Sequence, residues 1–451
     1  MKIIIIGNGV AGTFSALNIR ALDKNVKIKI YSREKYPYYT RVKLPELISG
    51  KLGIQDLIVF KDSWYQQQKI DLILETKVQK INPSEKKIII SSNDGSEDIF
   101  YDKLIIATGA IPNIPPIKNA NELLGKGVFT LRTVDNALEI KEYIEKNGVK
   151  KGIIIGGGLL GLELAKQIKD CGIDTIVVEF FPRLLPRQLD ADCGNMLKEI
   201  IEEMGIKVVL NAATEEILGK DDIDGIKLKN GTIIKGEIVL IQAGIRTTVD
   251  LAVNAGIKVN RGIIVNEFLE TNVNDIYAVG DCAEFNGRVY GIIPACMEQA
   301  KIIASSVLGK KDLKYNGTTP KNTLKIVGID LTSIGIFDPE DKDQIGAGWE
   351  ILKIKDEKGK CYKKIVLNND ILKGAIVFGD KKPITYLNKN IEHKINENEL
   401  REVMEFYKWI CGNCGFEYDD AKMEILFQNL PDDWTCVCGA PKSNFNKKNH
   451  Q

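Results

Sequence analysis

Residues 2–6 form an apolar run, Ile3-Ile4-Ile5-Ile6 behind Lys2. Such a continuous β-branched stretch predicts a strand buried on both faces. Gly7-Asn8-Gly9-Val10-Ala11-Gly12 follows at once, Thr13 to Leu22 has apolar residues at helical spacing, and Val26 to Tyr31 reads as a second strand. Strand, glycine turn, helix, strand is a parallel βαβ unit. The same order recurs later. Lys151 to Ile155 is a strand, Gly156-Gly157-Gly158-Leu159-Leu160-Gly161 a second glycine turn, Leu162 to Lys169 a helix, and Thr175 to Val178 a strand ending at Glu179.

The remaining pattern divides the chain further. Residues 71–106 hold three strand-like runs, and Pro112, Pro115 and Pro116 mark a crossing between domains. Strands are expected over 239–243 and at Asp275 to Val279, the latter running into Gly280-Asp281. Leu324 to Val327, Ile351 to Ile354, Lys364 to Leu367 and Gly374 to Phe378 read as strands of an α+β unit. Asn396 to Tyr407 has helical spacing at Leu400, Val403 and Met404 and reads as a linker helix. The expected organisation is one dinucleotide-binding domain from 1–111 and 244–317, a second from 112–243, an α+β domain at 318–393, a linker helix at 394–408 and a small unit at 409–447.

Composition narrows the chemistry. With 451 residues, 62 Lys and Arg stand against 61 Asp and Glu. That balance argues against nucleic acid or a membrane surface as partner. No apolar run reaches the ~20 residues of a membrane span, and the start lacks signal-peptide features, so a cytoplasmic location is expected. Nine cysteines stand against two histidines, His393 and His450. Five cysteines are scattered; Cys411, Cys414, Cys436 and Cys438 cluster near the end, which in a cytosolic chain points to a metal site.

Each glycine turn sits between a strand and a helix, the context in which backbone amides at a helix N-terminus hold a pyrophosphate. Gly7, Gly9 and Gly12 form one such set, Gly156, Gly158 and Gly161 the other. Glu179 lies 23 residues beyond Gly156, placed for adenosine ribose hydroxyls. An acid there repels a 2′-phosphate, so NADH is expected over NADPH. In the first unit Ser32 occupies the corresponding position, and Glu34 is favoured for the ribose, with an ordinary solvated Glu left open. Two units imply two cofactors, and FAD with a transient nicotinamide is the economical pair.

The motifs Gly7–Gly12, Ala107-Thr108-Gly109-Ala110, Gly156–Gly161 and Tyr277-Ala278-Val279-Gly280-Asp281 resemble, in order and spacing, the two-dinucleotide-binding flavoproteins of the glutathione-reductase type. The resemblance implies an α/β fold with two Rossmann-like domains and a smaller α+β C-terminal domain. It places Asp281 on the FAD ribityl or phosphate portion and Thr108-Gly109 near the flavin nucleotide. Pro37-Tyr38-Tyr39-Thr40-Arg41, Gly161-Leu162-Glu163-Leu164-Ala165 and Arg183 to Asp190 are similar to NADH:rubredoxin oxidoreductases and the flavin domain of nitrite reductase large subunits. So are Leu324-Lys325-Ile326-Val327-Gly328 and Gly374 to Asp380. By that resemblance Glu163 is a catalytic residue near the nicotinamide, and Arg41 and Lys43 approach FAD, with surface charge the plainer alternative for both. The third domain resembles interface domains, which leaves a homodimer open. No cysteine precedes Cys171, so the redox pair of disulfide reductases is missing and thiol–disulfide chemistry is not expected. Cys282 and Cys296 read as small buried apolar residues or as neighbours of the flavin.

Trp409 to Asp419, with Cys411-Gly412-Asn413-Cys414-Gly415, resembles the first knuckle of rubredoxin. Leu430 to Gly439 resembles the second, and Trp409, Tyr418, Trp434 and Phe445 a compact aromatic core. The second knuckle is Cys436-Val437-Cys438, one residue short of C-x-x-C-G, and 21 residues separate Cys414 from Cys436. Cysteines at i and i+2 of an extended strand face opposite ways; they share a metal only if the chain turns there. A rubredoxin-like domain with four ligands, Cys411, Cys414, Cys436 and Cys438, is expected. Four sulfurs suit iron or zinc, and fusion to a flavoprotein favours iron. The expected function is NADH-dependent reduction of FAD, transfer to the four-cysteine iron, and delivery to a downstream redox protein. A zinc docking module and a non-catalytic flavin or NADH sensor are the alternatives.

Overall fold

The structure, a computed structural model, describes residues 1–92, 95–220, 222–326, 328–337, 339, 348–356, 359–423 and 425–448. Val327 and His450 lie outside the described residues. The first unit opens with β1 (Lys2–Ile6), α1 (Val10–Leu22), β2 (Lys27–Tyr31), β3 (Ile70–Ile73) and β4 (Lys103–Ile106). The second follows with β5 (Val128–Thr130), α2 (Val134–Asn147), β6 (Lys151–Ile155), α3 (Leu159–Asp170), β7 (Asp174–Val178), α4 (Ala191–Glu203), β8 (Lys207–Val209) and β9 (Ile238–Ile241). The chain then returns to the first unit through β10 (Ile276–Ala278) and α5 (Ile293–Val307).

The first sheet has the order β10-β4-β1-β2-β3 and the second β8-β7-β6-β9-β5. The pairings of β1 with β2 and β4, and of β6 with β7 and β9, are parallel. β1 and β6 are thus central, with neighbours added on both sides. That is the switch in strand order which opens a crevice at the carboxyl end of a parallel sheet. Both strands are almost fully buried, as their unbroken apolar runs require.

The third unit is an antiparallel sheet of β11 (Lys321–Ile326), β12 (Ile329–Gly335), β13 (Trp349–Asp356), β14 (Cys361–Asn368) and β15 (Ile371–Phe378), followed by α6 (Ile384–Asn390) and α7 (Glu397–Met404). Its order is β11-β12-β15-β14-β13. The two faces of this sheet have different partners. Leu331, Tyr362, Ile376 and Phe378 join one core with Leu184, Cys193, Met196 and other residues of the second nucleotide-binding unit. Leu352, Ile354, Ile365, Leu367 and Val377 join another with Leu387, Leu400, Met404, Phe406, Ala421 and Leu426. Adjacent lysines on β14 show the alternation. Lys364 Nζ reaches Asp190 at 2.9 Å on the first face, and Lys363 Nζ reaches Glu405 at 3.1 Å on the second.

The segment expected as a linker is a docked helix. Asn396 caps it by accepting the Glu399 N–H, and Leu400 and Met404 are fully buried. Arg401, 1% exposed, donates from Nη1 and Nη2 to the two carboxylate oxygens of Asp419 at 2.9 and 3.0 Å. A forked pair of this kind fixes orientation as well as adding energy. It ties α7 to the last unit, the small sheet of β16 (Lys408–Cys411), β17 (Glu417–Asp419) and β18 (Phe445–Lys447). The Lys353 N–H donates to the Ala421 carbonyl and Asn429 Nδ2 to Asp356 Oδ1. The four-cysteine unit therefore packs on the face of the third sheet opposite the nucleotide-binding units. Among the described residues, no helix is long and apolar enough to cross a membrane.

Candidate functional site

The two glycine turns use their glycines alike. A Cβ on Gly7 would lie 2.2 Å from the Ala107 carbonyl oxygen, and one on Gly12 2.0 Å from the Gly7 oxygen. In the second turn a Cβ on Gly156 would lie 2.4 Å from the Gln242 oxygen and one on Gly161 2.1 Å from the Gly156 oxygen. These four are demanded by backbone packing. Gly7 and Gly156 also adopt φ of +114° and +116°, which side chains rarely tolerate. The middle glycines differ: a Cβ on Gly9 or Gly158 meets nothing within 4 Å. Both are helix N-caps, of α1 and α3, and neither helix has an acid in its first turn. The unsatisfied amides and the positive end of the helix dipole are thus left facing open space, the requirement for an anionic pyrophosphate.

Beside the first turn lies a cavity of about 680 Å³, within the size range of cofactor sites. Gly7, Gly9, Glu34, Arg41, Thr108, Gly109 and Asp281 line it together, though they come from four separate stretches of chain. Asn8 braces the turn, its Oδ1 accepting from Thr13 Oγ1 and Tyr65 OH, each at 3.0 Å. Glu34 accepts from Arg41 Nη2 at 2.9 Å and from Tyr39 OH at 2.6 Å, which clamps the aromatic loop to the end of β2. Thr108 Oγ1 donates to the Thr248 carbonyl at 2.8 Å, while the Thr248 hydroxyl is buried without a protein partner on the cavity wall. Lys43 is exposed and does not line the cavity. Gly12 is buried in α1, where its role is packing.

Arg132 also lines the cavity and carries no motif that marks it in the sequence. Its Nη2 donates to Asp281 Oδ2 at 2.8 Å, and its Nε is buried without a partner. The pair joins the segment after β5 to the Gly280 turn, where a Cβ on Gly280 would lie 2.7 Å from Ala11 Cβ. Cys296 Sγ sits 3.8 Å from Asp281 Oδ1. Burial, then the Asp281 charge, pushes the Cys296 thiol far up, and burial raises that of Cys282. Both stay protonated at neutral pH, so neither supplies a thiolate.

The second turn forms a separate group. Glu179 is buried; its Oε2 accepts the Gly157 N–H at 2.5 Å and its Oε1 the Phe181 N–H at 2.8 Å. Gln242 Nε2, whose residue backs the turn, is buried without a partner. Glu163 is half-buried on α3, two residues past Gly161 and outside the cavity lining. Orphaned polar atoms beside both turns and the open space over Gly9 and Gly158 fit two dinucleotides.

In the last unit the four cysteine sulfurs all lie within 4.8 Å of one another. Cys411 and Cys438 are 3.7 Å apart, as are Cys414 and Cys436. Tetrahedral ligation with metal–sulfur bonds of about 2.3 Å places sulfurs about 3.8 Å apart, so the donor set fits a metal. The short knuckle works because the chain turns. The Gly439 N–H donates to the Cys436 carbonyl at 2.8 Å, with Gly439 at φ +80°. In the first knuckle the Gly415 N–H closes on the Cys411 carbonyl one residue further along. The missing residue tightens the turn and leaves both thiols on the metal side. Burial opposes ionisation of Cys411, but the N–H groups of Cys414 and Asn413 outweigh it and bring its pKa to about 7. Cys414 moves the other way, to about 12: the Phe416 N–H favours its thiolate, but the neighbouring thiols outweigh it. Four thiolates this close need a cation.

Phe427 is the centre of this unit's core. It stacks on Trp409 at 4.6 Å and contacts Tyr418, Trp434 and Phe445 at 5.0–6.0 Å. The four aromatics expected from the sequence surround it.

Comparison with known proteins agrees with this geometry. Residues 320–395 match the rubredoxin NAD+ reductase C-terminal domain. A nitrite reductase [NAD(P)H] of Bacillus subtilis is 35% identical over 407 residues, covering 89% of this chain but 48% of its own length. The chain thus spans about half of that relative. An NADH-rubredoxin oxidoreductase of Clostridium acetobutylicum is 33% identical over 391 residues, covering 87% of this chain and 94% of its own. The crystal structure of NADH:rubredoxin oxidoreductase from that organism superposes with a TM-score of 0.69 at 32% identity, over 86% of this chain and 94% of its own. Residues 1–300 match the pyridine nucleotide-disulphide oxidoreductase family, and the chain belongs to it.

Proposed function

We propose that the chain is an NADH-dependent flavoprotein oxidoreductase whose four-cysteine unit holds iron and relays electrons to an external redox protein. The observation that carries this is the pairing of two open helix-capped glycine turns with a converged four-sulfur site in one chain. FAD and NADH would supply hydride transfer between their rings, and iron in four thiolates one-electron chemistry. The residues have distinct tasks. Gly9 and the first turn of α1 receive the FAD pyrophosphate; Glu34 takes the ribose, with Arg41 and Tyr39 holding it in place. Thr108, Gly109 and Asp281 shape the cavity beside them, and Arg132 fixes Asp281. Gly158 and α3 receive the NADH pyrophosphate, with Glu163 on the nicotinamide side. Cys411, Cys414, Cys436 and Cys438 bind the metal.

Glu179 sets the preference for NADH. Its carboxylate is buried and already fixed by two backbone amides, so a 2′-phosphate would meet an immovable like charge. Glu179→Ala is expected to lower kcat/KM for NADH by at least about tenfold, or 1.4 kcal/mol, and to narrow the NADH-to-NADPH ratio. Steady-state kinetics with both nucleotides check this.

The packing of the metal unit behind the third sheet keeps a second reading in view, a zinc-stabilised docking module. Metal analysis of natively produced protein, with anaerobic NADH addition, decides. Stoichiometric iron and bleaching of bound flavin support the relay; zinc without iron gives the docking module; flavin that NADH does not bleach removes the enzyme.

A further inference from the structure

The four-cysteine unit and the nucleotide cavity of one chain are on opposite sides of a sheet. The cavity is lined only by residues between Ile6 and Cys296. The third sheet covers the second nucleotide-binding unit through Leu331, Tyr362, Ile376 and Phe378. The metal unit rests on the other face through Ala421 and Leu426, and the forked Arg401–Asp419 pair holds it there. The third sheet thus stands between the metal unit and the second nucleotide-binding unit. The docking is buried and ionic, unlike a flexible tether.

Each of the two sites nevertheless has an open face. Cys414 and Cys438 are exposed, and Val437 between the last two ligands is 83% exposed. Asp432 and Asp433, a few residues before Cys436 in the chain, are exposed as well. Residues 409–447 carry three lysines against six carboxylates; Arg401 neutralises Asp419, and Lys408 and Lys448 pair with Glu417, so the remaining excess is small and the thiolates carry most of it. Four thiolates around a di- or trivalent ion add negative charge. The cavity rim is the complement: Val42 and Ile293 line it with 58% and 50% of their surface exposed, the exposed Lys77 lines it too, and the exposed Lys43 follows Val42 in the chain, while Arg41 is already paired with Glu34. An apolar contact flanked by opposite charges favours encounter of two proteins.

We propose that the metal unit of one copy is reduced at the nucleotide cavity of another copy during an encounter, its Cys414–Val437–Cys438 face meeting the Val42–Lys43–Ile293 rim. This rests on the electron relay proposed above. The electrons balance across two copies: one NADH and two ferric sites give NAD+, one proton and two ferrous sites.

Two variants separate transfer between copies from transfer within one. In Cys414→Ser/Cys438→Ser the flavin is present and the iron absent. In Gly9→Leu the new side chain fills the open pyrophosphate cradle, so the iron is present and the flavin absent. Wild-type protein stripped of flavin serves in its place if that variant does not fold. Under anaerobic NADH the iron-only copy alone keeps its ferric-thiolate absorbance. After mixing, the absorbance is expected to bleach at a rate proportional to the concentration of the flavin copy and to slow as salt is added. No bleaching in the mixture, with wild-type iron bleaching at a rate independent of protein concentration, overturns transfer between copies and leaves the relay intact. Wild-type iron that NADH does not reduce overturns the relay itself, and this inference with it.

Discussion

Gly12→Ala is expected to unfold the first nucleotide-binding unit, whereas Gly9→Ala leaves it folded and weakens flavin binding. The two positions are three residues apart in one motif, yet the physical demands on them are opposite. A Cβ at Gly12 would sit 2.0 Å from the Gly7 carbonyl oxygen and 3.3 Å from Ile5 Cγ2. The obstruction is backbone, which cannot rotate away as a side chain can. Overpacking of this kind costs about 3 kcal/mol, and α1 would have to withdraw from β1. At Gly9 the Cβ meets nothing, and the cap makes no side-chain hydrogen bond, so the stability cost stays within about 1 kcal/mol. The methyl group instead occupies the space required by the pyrophosphate. Flavin affinity is expected to fall by at least about tenfold, 1.4 kcal/mol. Thermal unfolding followed by circular dichroism, together with fluorescence titration of FAD, separates the two outcomes. Equal loss of stability in both variants would contradict the assignment of Gly9 to the ligand.

Cys411→Ser is expected to melt the last unit and leave the flavin site untouched. The core of that unit has seven buried residues, two of them metal ligands. So small a core does not hold a fold without a staple. Metal binding contributes about 10–16 kcal/mol in small zinc peptides, far more than these aromatics provide alone. Cys411 is 1% exposed and accepts backbone N–H groups in the first knuckle; a serine hydroxyl there is a poor metal ligand and leaves an open coordination position. The expected results are loss of bound metal, a red shift in emission from Trp409 and Trp434, and proteolytic cleavage confined to residues after 408. Flavin content should not change, because the cavity is built from residues before 297. Removing the metal from the wild-type protein with a chelator should give the same pattern.

Buried elements with a strong period were legible in the sequence. β1 and β6 announce themselves as apolar runs, and each glycine turn follows directly. The helices begin earlier than the apolar spacing suggests, at Val10 and Leu159, because Gly9 and Gly158 serve as caps. The region 70–106 was less legible: it holds five strands where three runs were expected. Three of them, Lys77–Asn82, Lys87–Ser92 and Gly95–Phe100, form a small antiparallel sheet. Gly95–Phe100 buries only Ile99, so it carries little hydrophobic signal. Arg132 and Asp281 are far apart in sequence, and only the fold brings them together. Lys43 shares a loop with Arg41 but points to solvent, a distinction no residue type reveals. The Cys436-Val437-Cys438 knuckle looked unfavourable as an extended strand and is favourable as a turn, with Gly439 supplying the positive φ. Phe427 lies outside the aromatic set that the rubredoxin pattern marks, so no motif distinguishes it from other apolar residues.

Electron counting tests the relay most directly. In an anaerobic titration of protein carrying one FAD and one iron, NADH delivers two electrons, the flavin stores two and the iron one. Complete reduction should therefore take about 1.5 NADH per chain, with flavin and ferric-thiolate absorbance both lost. An end point at about 1.0 NADH per chain, with the ferric-thiolate absorbance intact, would contradict the claim that the four-cysteine unit receives electrons from the flavin.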